Sequence, residues 1–101
     1  MYRPVFAVDL PERQTRVMWA SQKPINAAIF GQSKLAAAWR TVPSWFIVAR
    51  EDRVIPPDLE RFFARRMNAH TTEITASHVV FISHPSQVAK IILEAAATAG
   101  R

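Results

Sequence analysis

Two residues of this 101-residue chain stand where chemistry is most readily built. Asp52 follows the apolar run Trp45-Phe46-Ile47-Val48-Ala49, and His78 follows the β-prone run Thr71-Thr72-Glu73-Ile74-Thr75. If both runs are parallel strands, their C-terminal ends lie along one edge of a sheet, about 4.8 Å apart. An acid leaving one strand and a histidine leaving the next then come within hydrogen-bond reach. Such a pair is the orienting half of a nucleophilic triad. The carboxylate sets the imidazole tautomer and stabilises the imidazolium, leaving the other ring nitrogen to act as general base. Glu51 competes with Asp52 for the acid position, and position after the strand leaves both open. His84, beside Pro85, is expected to serve structure or capping.

The elements that must position this pair are legible in the pattern. Residues 45–49 are apolar on both faces, as in a parallel strand covered by helices on each side. Four charges, Arg50-Glu51-Asp52-Arg53, end the run. Pro56-Pro57 opens a helix with Asp58 and Glu60 in its first turn, where the helix dipole favours acids. Leu59, Phe62, Phe63 and Met67 share one face of that helix, with Glu60, Arg61 and Arg65 off the stripe. A last helix opens at Pro85 and carries Val88, Ile91, Ile92, Ala95 and Ala99. Strand, helix, strand, helix is a βαβα unit with a right-handed crossover, so the fold class is α/β. Before it, residues 1–40 read as short helices and loops. One opens at Pro11-Glu12 with Asp9 as cap and is stopped by Lys23-Pro24. Another runs from Ile25 to Phe30 and closes on a left-handed Gly31, and a turn at Ala36–Ala38 precedes Trp39. Trp19, Phe30, Trp39 and Trp45 are expected to serve packing, and Ser21 and Gln22 are not expected to reach a binding pocket.

Two stretches resemble the α/β-hydrolase family. Residues 43–57, PSWFIVAREDRVIPP, look like its strand and acid turn, and residues 75–85, TASHVVFISHP, look like its histidine loop. The order acid then histidine matches the family order of serine, acid, histidine. The likeness is nearest to esterase-like members with a helical lid before the acid strand. It implies a lid-like segment over residues 1–42 and the C-terminal part of a hydrolase core over residues 43–101. By the same likeness Asp52 is the triad acid and His78 the triad base. The family also needs a serine on a sharp turn, Gly-x-Ser-x-Gly, and this chain has none: residues 31–35, GQSKL, begin like that motif but lack the closing glycine. The resemblance therefore implies a truncated α/β-hydrolase, inactive alone, because an imidazole with no hydroxyl to deprotonate cannot form an acyl-enzyme.

Composition narrows the remaining classes. Half the residues are hydrophobic, which excludes a disordered tail. Zero cysteines exclude a disulfide scaffold and thiol catalysis, and two isolated glycines exclude a phosphate-cradling loop. The net charge of +5 invites a nucleic-acid reading. Yet the densest basic cluster, Arg61, Arg65 and Arg66, is expected to be a solvated helix face, and the other basic residues are scattered with no aromatic interleaving of the stacking type. No cofactor is expected. A metal at His70, His78 and His84 is not expected either, because their spacing lacks a ligand pattern. No apolar run approaches a spanning helix, so a cytoplasmic protein without membrane attachment is expected. Two parallel strands cannot bury so apolar a strand by themselves. The expected partners are thus a small-molecule ester in the complete enzyme, and either self-association or pairing with the missing N-terminal part.

Overall fold

The computed structural model describes residues 2–33 and 36–99. Of the stretch 31–35 weighed above, Lys34 and Leu35 lie outside the described residues. The elements run α1 (Tyr2–Phe6), α2 (Glu12–Ala20), 3-10 turns at Ala27–Gly31 and Ala38–Arg40, β1 (Trp45–Ala49), α3 (Pro57–Arg66), β2 (His70–Ile74), α4 (Val80–Ser83) and α5 (Pro85–Ala99). β1 and β2 form a two-stranded parallel sheet with Trp45 opposite His70 and Ala49 opposite Ile74. This is a piece of an α/β fold. β2 starts one residue earlier than the composition suggests, at His70, whose ring stacks on Trp45 with centroids 4.8 Å apart.

The crossover helix α3 starts and stops for identifiable reasons. Pro57 at its first position has no N–H to leave unpaired and a helical φ already set. Asp58 and Glu60 lie at the positive end and Arg65 and Arg66 at the negative end. At the far end Asn68 takes a left-handed φ of 50°. The Ala69 N–H donates to the Ala64 carbonyl and the Asn68 N–H to the Arg65 carbonyl, the paired bonds of a Schellman stop. The left-handed position expected at Gly31 is therefore found at Asn68 instead. No described glycine has positive φ, because the segment around Gly31 is a 3-10 turn that leads straight into extended backbone at Gln32.

The apolar stripe of α3 stays partly in solvent. Glu60 and Ala64 are its buried residues, while Leu59, Phe62 and Phe63 are each at least 40% exposed. Two small clusters serve as core. One joins Ile74, Ala76 and Ile91 with Trp45, Ile47 and Val80, and the other joins Ala7, Leu10 and Val79 with Phe6, Met18 and Ile82. The second cluster ties the N-terminal helices to the segment after β2. Several expected core residues remain in solvent: Trp19 is 64% exposed and Phe30 76%. On α5 only Ile91 of the expected stripe is buried, with Ile92 exposed. β1 is fully covered only at Val48 and Ala49. The cause is common to all of these: a sheet two strands wide offers too little surface for the helices to cover. The area exposed, 7828 Å², exceeds the roughly 5,800 Å² of a compact monomer of this mass. No helix among the described residues is long and apolar enough to cross a membrane.

Candidate active site

Strand pairing continues past the formal ends of the sheet and carries the two loops to one place. The Arg50 N–H donates to the Ile74 carbonyl at 2.9 Å, and the Glu51 N–H to the Ala76 carbonyl at 3.0 Å. The next residue on the first segment is Asp52, and two beyond Ala76 is His78. Asp52 then folds its own loop. Its Oδ1 accepts the N–H of Val54 at 2.8 Å and of Ile55 at 3.0 Å, an Asx turn that makes a tight bend before Pro56.

The other carboxylate oxygen, Oδ2, lies 2.9 Å from His78 Nδ1. Asp52 is buried, whereas the imidazole keeps about a third of its surface in solvent. An acceptor on Nδ1 sets the proton there and leaves Nε2 as the basic nitrogen. Among the described residues no side chain is hydrogen-bonded to Nε2. Burial pushes the Asp52 carboxyl up. The Ile55 N–H, His78, Glu60 and the Val54 N–H outweigh that and hold it below the ordinary aspartate value. Asp52 is thus an anion at neutral pH.

The N-terminal helices supply the outer wall of the histidine loop. Asp9, expected to cap α2, instead accepts the Ser77 N–H at 3.0 Å and the Ser77 hydroxyl. Pro11 takes the cap position with no side-chain bond, so Asp9 is free to turn away. Burial raises the Asp9 carboxyl, but the two Ser77 bonds prevail and it too lies below its usual value. Ser77 is fully buried, so its hydroxyl is a structural donor and not an exposed nucleophile. The Val79 N–H donates to the Phe6 carbonyl, and the Phe6 ring meets the His78 ring edge-on at 5.9 Å.

A third carboxyl lies beneath the pair. Glu60 reaches from α3 to the end of β1, where Oε1 accepts the Ala49 N–H at 3.1 Å. Burial lifts its carboxyl to about 7, opposed by the Ala49 N–H and reinforced by neighbouring Asp52. Neither Asp9 nor Glu60 could be picked out from sequence. Asp9 lies 68 residues from Ser77, and Glu60 sits off the apolar stripe of its helix. The one available signal for Glu60 was its i, i+4 spacing to Ala64, too common to single it out.

Other candidates fall elsewhere. Glu51 is exposed, and among the described residues it makes no ion pair. Arg50 bonds Glu73 instead, because strand alternation turns it toward that residue on β2. Arg61 also bonds Glu73 and Asp58, and the bonds to Glu73, Arg61's first, bring that carboxyl down to about 2. His84 Nδ1 meets the Ser83 hydroxyl at the end of α4. Ser21 bonds its own helix through the Val17 carbonyl and lies in solvent. Among the described residues no cluster of three His, Asp or Glu side chains is arranged to hold a metal ion. A cleft of about 540 Å³ opens between α1 and α2, lined by Tyr2, Glu12, Thr15 and Trp19, but it touches neither Asp52 nor His78.

No curated protein matches the chain significantly, and no solved structure does. A family model described as "Alpha/beta hydrolase family" matches residues 1–91. With an acid and a histidine at the ends of neighbouring parallel strands, and a match across nine-tenths of its length, the chain belongs to the alpha/beta hydrolase family.

Proposed function

We propose that this chain carries the acid and base of a serine-type triad for carboxylic ester hydrolysis, with the nucleophile and oxyanion hole supplied from outside these 101 residues. In this reading residues 43–101 are the C-terminal part of the hydrolase core, and residues 1–42 act as a lid-like segment. The observation that carries it is the 2.9 Å contact between Asp52 and His78 in a chain of hydrolase family membership. Asp52 holds the imidazole by Nδ1. His78 Nε2 takes the proton of a serine hydroxyl as that oxygen attacks the ester carbonyl, then returns it to the departing alcohol. A water activated by the same nitrogen releases the acid.

The sequence contains no Gly-x-Ser-x-Gly, and the fully buried hydroxyl of Ser77 is committed to Asp9. The purified chain is therefore expected to hydrolyse p-nitrophenyl esters no faster than its His78→Ala variant. Robust turnover lost on His78→Ala would overturn the claim that the nucleophile lies elsewhere. Where a complementing N-terminal part restores activity, His78→Ala should lower kcat by several orders of magnitude.

A second reading, a non-catalytic self-associating module built on the same fold, is favoured by the excess exposed area and by Trp19, Phe30, Phe81 and Leu93 in solvent. Light scattering separates the two. A folded monomer at micromolar concentration counts against the module.

A further inference from the structure

Glu60 is 5% exposed and sits at the third residue after the first position of α3. Its Oε1 is satisfied by the Ala49 N–H, but Oε2 is buried and no donor reaches it. An unpaired, ionised oxygen buried beside a second carboxylate is among the costliest arrangements a protein can hold. Asp52 is that second carboxylate. The two compete for one proton on unequal terms. Asp52 receives the Val54 and Ile55 N–H groups and the His78 ring, whereas Glu60 receives a single N–H. The better-solvated anion keeps its charge and the poorer one keeps the proton. A buried oxygen with no donor, on a carboxyl that interacts with the Asp52 carboxylate, is then free to be a donor itself.

We propose that Glu60 is a positioning residue of the site: a neutral carboxylic acid whose Oε2–H donates to the Asp52 carboxylate while Oε1 anchors the same group to the end of β1. The titratable groups acting on Glu60 are Asp52 from the loop after β1 and His78 from the loop after β2. Arg50 and Arg61 are engaged with Glu73. The effect is to fasten the acid of the pair from below without adding a second negative charge beside the imidazole. This deepens the reading in which Asp52 orients His78, but its test needs no turnover.

The full chain is labelled with carbon-13 at glutamate and aspartate side chains, and carboxyl shifts are followed by NMR from about pH 3 to 9, with Glu60→Gln identifying the Glu60 signal. Glu60 should titrate near pH 7, well above the ordinary glutamate value of 4.5. In Asp52→Asn its midpoint should fall by at least about one pH unit, a tenfold loss of proton affinity, because the like charge is gone and the acceptor that remains is a neutral amide oxygen. In Glu60→Gln, where the amide N–H can replace the acid as donor, the Asp52 signal should stay in the low range it has in the unmodified chain. A Glu60 midpoint near the ordinary 4.5, or one indifferent to Asp52→Asn, would overturn the proposal. Failure of ester hydrolysis would bear on the triad alone and leave these titrations unchanged.

Discussion

Asp9→Ala removes the acceptor of two donors on one fully buried residue, the Ser77 N–H and hydroxyl. Left dry, two orphaned donors cost about 1–3 kcal/mol each. Asp9 itself is exposed, however, so water can follow the trimmed side chain and satisfy part of that demand. The expected loss is about 1–2 kcal/mol, the range seen for other side-chain carboxylates capping backbone N–H groups. Asp9→Asn keeps one acceptor and should lose about half as much. Urea unfolding followed by tryptophan fluorescence measures it, with the slope held common across variants. The partner is checked through Ser77→Ala and the double variant: residues in contact should show a coupling of about 0.5–1.5 kcal/mol. If Asp9→Ala lies within about 0.5 kcal/mol of the unmodified chain, or the two changes add without coupling, this carboxylate does not hold the histidine loop.

Further outcomes follow from the same contacts. Glu60 binds a proton more tightly folded than unfolded, so its contribution to stability is complete below pH 4.5 and fades as pH rises through about 7. Stability should fall across that window by at most about 3 kcal/mol, read from denaturant midpoints, and Glu60→Gln should flatten the fall. Asp9 and Asp52 have the opposite sign: their contribution is present above about pH 3.8 and disappears as pH falls through their lowered values, which acid titration of stability will register. Asn68→Ala forces a methyl into the left-handed stop of α3 and should cost about 1 kcal/mol, whereas Asn68→Gly should cost nothing, both read from denaturant midpoints. Val48→Ala, at a fully buried strand position, should lose roughly 1.5–3 kcal/mol in the same assay.

What could be read from the sequence is what local chemistry decides. β1 is an uninterrupted β-prone run closed by four charges, and α3 has proline and acids at its start, so both appear where the pattern puts them. Parallel pairing then carries Asp52 and His78 together, since each follows its strand by a few residues. What could not be read depends on which surface meets which. The stripe Leu59, Phe62, Phe63 is the face a periodicity argument buries, yet Glu60 and Ala64 are the buried residues, and Glu60 reaches the N–H of Ala49 at the strand end. Asp9 next to Pro11 has the composition of a cap, and only the fold reveals Ser77 beside it. The covered β1 expected from its apolar faces needs more sheet than the described residues provide.

The two oxygens of Asp52 answer to different structures: one shapes the bend at Val54 and Ile55, the other touches His78. An alanine at position 52 would therefore remove the anchor of the bend and the partner of the ring together, so a defect in that variant says nothing about which duty mattered. Asparagine separates them. Its oxygen can keep the bend while its NH2 group turns on the imidazole. A folded Asp52→Asn protein thus isolates the electrical part of the aspartate's work from its architectural part.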